Sequence, residues 1–183
     1  YMLREINQGN YDYLHSAGGI ALYFLSRESN PKSKVYLNEY VEVLYKHSIA
    51  DSQGVKWISE IHAQGNEKTK VYNLSLSHGM ASIVAILSKI YKRGINKKKT
   101  EELLKKAISY ILSKQFDIKV SNSYFPNSIS LDGDKGVSSR LAWCYGDLGI
   151  SVALWNVSKV LEDKELEDKS LEILLHASNT VSY

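Results

Sequence analysis

Apolar residues recur along the chain mostly at three- and four-residue spacing, the period of a helix face, and only 2 prolines and 11 glycines interrupt them. Leu103, Leu104, Ala107, Ile108, Ile111 and Leu112 share one face of a helix predicted to start near Thr100. Glu101 and Glu102 then sit in its first turn, where acidic side chains suit the helix dipole. Two more amphipathic helices are predicted, over about 35–49 through Leu37, Tyr40, Val41, Leu44 and Tyr45, and over about 164–177 through Leu166, Leu171, Leu174 and Leu175. Three further segments are apolar nearly all round, and each follows a glycine-bearing turn: AGGIALYFL at 17–25, HGMASIVAIL at 78–87 and YGDLGISVALW at 145–155.

Aligning Gly19, Ser82 and Gly149 spaces these buried segments 63 and 67 residues apart, so one unit recurs: buried helix, turn, amphipathic helix, long connection. Such hairpins hide their apolar faces only by stacking on one another. The predicted class is all-α, an α/α toroid with the buried helices as an inner ring and the amphipathic ones as an outer ring. An open superhelical solenoid shares the repeat and is the alternative. The connections at about 50–72 and 117–141 are long enough to shape a site at one rim, and the second, with Pro126 and Asp132-Gly133-Asp134, reads as irregular with a short hairpin.

Length and charge narrow the function classes. A chain of 183 residues that is 44% hydrophobic supports a real core, within one domain or a large piece of one. With 23 basic against 20 acidic residues the net charge of +3 lacks the footprint of a nucleic-acid binder, and the lysines at 97–99, 105 and 106 read as a solvated helix face. A single cysteine and no apolar run of about 18 residues favour a reducing, soluble, cytoplasmic setting with no membrane span. No basic stretch leading into an apolar one follows Tyr1, so no signal peptide is read, and the missing initiator Met suggests an excised segment.

Candidate chemistry falls at one phase of the repeat. Asp12, His78 and the Arg140-Leu-Ala-Trp143-Cys144 string each precede a buried helix, so the fold would gather them at one rim. Singly, Asp12 reads as a turn former or helix cap, His78 as a turn residue and Cys144 as a small core hydrophobe. Together they offer a proton-transfer group near neutrality and a thiol whose anion, favoured by a helix N-terminus and an arginine, binds metal or attacks electrophiles. No Gly-x-Ser-x-Gly elbow, phosphate loop or His-Glu-x-x-His occurs, and an acid pair drawn from Asp12, Asp147 and Glu60 is a weaker alternative. His15, His47, His62 and His176 have no partner at ligand-like spacing.

Tyr11-Asp12 with Gly19-Ile20, Leu76-Ser77-His78-Gly79, and above all Ser139-Arg140-Leu-Ala-Trp143-Cys144-Tyr145-Gly146-Asp147-Leu-Gly149 resemble the lanthionine synthetase C-like family, the cyclases of lantibiotic biosynthesis. Ser16 and Ser82 stand where that family generally has glycine.

The resemblance implies an α/α toroid and a zinc-dependent cyclase that adds peptide cysteine thiolates to dehydroalanine or dehydrobutyrine, forming thioether rings. It implies that Cys144 is a zinc ligand, that His78, Asp12 and Arg140 are catalytic, and that Trp143 and Tyr145 contact substrate. The expected partners are a dehydrated precursor peptide and a dehydratase partner or domain. The family's remaining ligands lie in a later Cys-His-Gly motif. The chain has no second cysteine and stops 39 residues after Cys144, so residues 1–183 are expected to be part of one such domain, truncated at both ends and inactive alone. A peptide-binding scaffold without chemistry, or addition of a glutathione-type thiol to dehydroamino acids, are the competing functions.

Overall fold

The computed structural model describes residues 1–27, 29–62 and 68–179. Seven helices run in order: α1 (Met2–Asn7), α2 (Ala17–Leu25), α3 (Pro31–His47), α4 (Met80–Lys92), α5 (Lys97–Ser113), α6 (Asp147–Leu161) and α7 (Lys164–Asn179). The helices α2, α4 and α6 begin at 17, 80 and 147, the same 63- and 67-residue intervals as the sequence repeat. Each forms a hairpin with the helix that follows it, α4 lies between α2 and α6, and α3 packs on α5.

Burial sorts the two kinds of helix as their patterns predict. Ile83, Val84, Ile86, Leu87 and Ile90 bury α4 almost all round, because it has inner helices on both sides. The flanking helices α2 and α6 keep Tyr23, Val152 and Trp155 exposed. In α3, Leu37, Tyr40, Val41 and Leu44 face inward, and the helix starts earlier than its apolar stripe because Asn30 accepts from the Lys32 amide and Pro31 takes the first turn. In the same way α5 starts at Lys97, so Glu101 and Glu102 lie beyond its first turn. They pair with Lys105 and Lys106 one turn on instead of serving the dipole.

The strands correct the all-α expectation. Residues 49–73 hold β1 (Ile49–Asp51), β2 (Gly54–Lys56), β3 (Ser59–His62) and β4 (Lys68–Asn73), and β5 (Ser128–Ser130) comes from the second long connection. The β1–β2 hairpin docks on α5. Its Gly54 has φ +137 and lies so close to the Lys106 carbonyl that a Cβ would sit 2.1 Å from it, a position only glycine fills. Trp57, fully buried, donates its indole N–H to the Leu44 carbonyl at 2.9 Å and ties the hairpin to α3. The strands β3, β4 and β5 form an antiparallel sheet with β4 central, in the registers Ser59↔Val71 and Tyr72↔Ile129. Strands of three to six residues carry too few alternations to stand out against helical periodicity.

The 114–146 connection is irregular yet pinned. Asp147, 4% exposed at the start of α6, accepts from the Tyr124 and Phe125 amides at 2.7 and 3.0 Å. Phe125 is thereby buried in the core. No described helix is long and apolar enough to cross a membrane.

Candidate active site

The loops ahead of α2, α4 and α6 meet at one rim, and backbone contacts set their paths. In the first loop the Asp12 carbonyl accepts from the Ser16 and Gly18 amides, while Asp12 Oδ1 accepts from the Leu14 and His15 amides, each at 2.7 Å. An aspartate closing the turn on itself explains why this residue type begins the segment. The second carboxylate oxygen is left to face another repeat. Behind the loop, Tyr11 is buried and its hydroxyl meets His47 Nδ1 at 3.0 Å, with burial pushing that hydroxyl up to about 12. Ser16 donates to the Asn10 carbonyl, and its φ of −145° lies outside the left-handed region that would call for glycine. Ser82 is equally accommodated, fully buried with its hydroxyl on the Gly79 carbonyl at 2.7 Å.

The second loop is folded by its own polar groups. Asn73 Oδ1 accepts from the Ser75 amide, and Ser75 Oγ accepts from the His78 amide at 3.1 Å. This places the half-buried His78 ring with Nδ1 2.5 Å from Asp12 Oδ2, a contact between residues 66 apart in sequence. A carboxylate only accepts, so Nδ1 carries the proton and, in the neutral ring, Nε2 is the basic nitrogen. Across repeats this is the carboxylate-oriented imidazole that acid–base chemistry uses.

The third loop is stitched to the second. Both the Ser77 amide and the Ser77 hydroxyl donate to the Cys144 carbonyl, at 3.2 and 3.1 Å, so Cys144 follows the residue next to His78. Cys144 is half-buried and its thiol is free. The Tyr145 ring lies 5.7 Å from the His78 ring, and burial first of all pushes its hydroxyl above the ordinary tyrosine value. The exposed Arg140 places its guanidinium carbon 5.7 Å from the Tyr145 ring centre. Trp143 is 57% exposed and turns its indole outward.

A cleft of about 1070 Å³ opens beside these loops, and Asp12, His15, His78 and Tyr145 are among the residues that line it. Among the described residues, Arg140, Trp143 and Cys144 belong to the adjoining loop rather than to the wall. The structure therefore brings Asp12, His78 and Tyr145 together, holds Cys144 beside them through Ser77, and leaves Arg140 and Trp143 at the margin. Asp147 and Glu60 do not join Asp12 as an acid pair: Asp147 spends both oxygens on backbone amides, and Glu60 pairs with Lys68 on the sheet.

One residue was missed by spacing. His15 stacks on His78 with ring centres 5.7 Å apart and planes 2° from parallel, and its Nδ1 lies 3.4 Å from Asp12 Oδ1. Its position three residues after an aspartate that closes a turn was the available signal. The second overlooked contact is His47 on Tyr11. The side chain of His62 lies outside the described residues.

Zinc can be tested against these donors. A free thiol on a loop is a fitting soft ligand, and Cys144 supplies one. Among the described residues, the group of three ligand atoms close enough to share an ion is Asp12, His15 and His78, within 4.8 Å of one another, and it excludes Cys144. Both oxygens of Asp12 are already engaged there. The described chain thus fits one corner of a thiolate site.

Comparison with known proteins agrees with the fold. A family model described as lanthionine synthetase C-like protein matches residues 2–181. Among solved structures, nisin cyclase superposes with a TM-score of 0.76 at 19% identity, over 98% of this chain and 50% of that one. The likeness at that identity is one of fold, and the chain spans about half the length of the cyclase it matches. No curated protein matches the chain.

Proposed function

The chain belongs to the lanthionine synthetase C-like family, and from that premise we propose that the intact protein is a zinc-dependent peptide cyclase that closes thioether rings on a dehydrated precursor peptide. The observation that carries this reading is the Asp12–His78 hydrogen bond at 2.5 Å, formed between two repeats at the mouth of a cleft and tied through Ser77 to the only cysteine. A scaffold that merely holds a peptide has no need of an oriented imidazole. Residues 1–183 are part of one α/α toroid in this proposal, and the exposed apolar side chains of α2 and α6 are the faces on which further hairpins complete the ring.

The chemistry follows from the residues. Cys144 would hold the zinc, with the other ligands coming from the part of the toroid this chain does not span. When bound, zinc lowers the pKa of a substrate cysteine so that it is presented as a thiolate at neutral pH. His78 Nε2 accepts the proton that the thiol gives up, while Asp12 holds the ring by Nδ1 and stabilises the imidazolium. As the sulfur bonds to the β-carbon of the dehydroamino acid, the double-bond pair moves toward the carbonyl, giving an enolate. The proton then returns to the α-carbon, and the net change is addition of S–H across the double bond.

Arg140 stabilises the enolate oxygen in this scheme. Tyr145 presents a hydroxyl donor beside His78, and the outward indole of Trp143 meets the peptide at the cleft margin. The partners are the precursor peptide and a dehydratase partner or domain, and the setting is cytoplasmic.

The test is metal analysis of the intact protein beside Cys144→Ala, together with ring formation by His78→Ala on a dehydrated precursor. One zinc per chain that is lost in the cysteine variant, and ring closure lost in the histidine variant, are the expected results. Unchanged ring closure by His78→Ala would overturn the reading.

A further inference from the structure

The three-stranded sheet has an open edge that borders the candidate site. Its order β3-β4-β5 puts β3 at a margin, and among the described residues no strand pairs with the outer side of β3. That margin borders a cleft, with Ser59 and Ile61 half-buried and Glu60 exposed. Ser59, Glu60 and Ile61 line the same cleft as Asp12 and His78, with Ile49 and Ile58 beside them. An open strand edge is a row of N–H and C=O groups at the spacing of an extended chain, and proteins commonly blunt such edges with Pro, Lys or a bulge. Ser59-Glu60-Ile61 carries no Pro or Lys, and the charge of Glu60 is answered by Lys68 across the β3–β4 pair at 3.2 Å.

We propose that β3 is a docking strand: an extended stretch of the dehydrated peptide adds to its open edge as a fourth strand and is thereby led to Asp12 and His78 in the cleft. This deepens the cyclase reading and rests on it. The chemistry of the occupant fits the wall. A dehydroamino acid has a planar α-carbon that favours flat, extended backbone. Main-chain pairing is indifferent to side-chain identity, which suits a substrate whose sequence differs around each reacting residue. Side chains alternate on an added strand, so one set falls on the Ile61 face of the sheet and the other on the face of Glu60 and its cross-strand partner Lys70.

The experiment uses the intact protein and a synthetic peptide that carries one dehydroalanine and no cysteine, so that it binds without reacting. Amide exchange is followed over β3 with and without peptide, in the wild type and in His78→Ala. A series of the same peptide, N-methylated at one backbone amide at a time, is then titrated. Protection of β3 amides in both proteins is expected, together with an affinity loss of about threefold to tenfold at every second methylated position. Binding without β3 protection, or a methylation profile with no two-residue alternation, overturns the docking strand and leaves the cyclase reading standing. Failure of the peptide to bind either protein also overturns the docking strand, while the cyclase reading stands or falls on ring closure by His78→Ala.

Discussion

Replacing Gly149 by alanine separates two effects that point in opposite directions. On helix propensity alone the change inside α6 should stabilise by about 0.5–1 kcal/mol. The packing says otherwise. A Cβ at Gly149 would stand 2.1 Å from the Trp143 carbonyl oxygen and 2.8 Å from Leu76 Cβ, where ordinary contact begins at 3.4 Å. One partner is backbone, so the loop bearing Cys144 must retreat by about 1.3 Å, and the loop leading to His78 is pressed as well. Overpacking of this kind costs about 1–3 kcal/mol, which exceeds the propensity gain.

The larger effect is expected on chemistry. A displacement of about 1 Å in a positioning element costs on the order of a hundredfold in rate. The assay is a denaturant midpoint together with kcat/KM for ring closure by the intact protein, with Gly133→Ala as control. Gly133 has φ +98 and open space around its missing Cβ, so its replacement strains only a distant turn and leaves the rate unchanged. Gly149→Ala at least as stable as wild type, with ring closure within about twofold of it, would refute the steric account.

Asp147→Asn weakens the acceptor for the Tyr124 and Phe125 amides and should cost about 1–3 kcal/mol. Burial holds the Asp147 carboxyl above its ordinary 3.8, so the native state binds the extra proton and its contribution to stability falls as pH rises through that window. Denaturant midpoints from pH 3 to 7 should therefore show the wild-type advantage over Asp147→Asn shrinking with rising pH, and a growing advantage would contradict the sign. His15→Ala removes an exposed ring stacked on His78, so stability should stay within about 0.5 kcal/mol while ring closure slows about threefold to tenfold. An unchanged rate would reduce His15 to a bystander.

What could be read from the sequence depended on how long each signal was. The inner and outer helices carry nine or more residues of one periodicity, and their order, spacing and burial follow from it. The helix α1, six residues long, and the strands, three to six residues long, carry too little pattern of their own. They are held by contacts distant in sequence: Trp57 on the Leu44 carbonyl, Gly54 against α5, and β5 on β4 across more than fifty residues. Phase within the repeat was enough to bring Asp12, His78 and Cys144 to one rim. It could not show that Asp147, inside the most specific motif, is a clamp for the backbone of its own connection.

The same comparison explains why phase worked at all. In each repeat a backbone carbonyl crosses a glycine six residues later at the start of the inner helix: Tyr13 over Gly19 at 2.6 Å, Asn73 over Gly79 at 2.2 Å and Trp143 over Gly149 at 2.1 Å, measured to a Cβ that is not there. Asp12 directly precedes its crossing, Cys144 directly follows its own, and His78 directly precedes the glycine that is crossed. The sequence alignment had paired Ser82 with Gly19 and Gly149, which is right for position along the helix, since each is the third helical residue. It was misleading for the loop, because in the second repeat the crossing falls on Gly79 and Ser82 is free to be a buried serine. A Cβ at any crossing point lifts a loop away from its helix. The glycines therefore matter to the site because they let three rigid helix starts hold three loops at contact distance, so that residues 66 apart in sequence share one hydrogen bond.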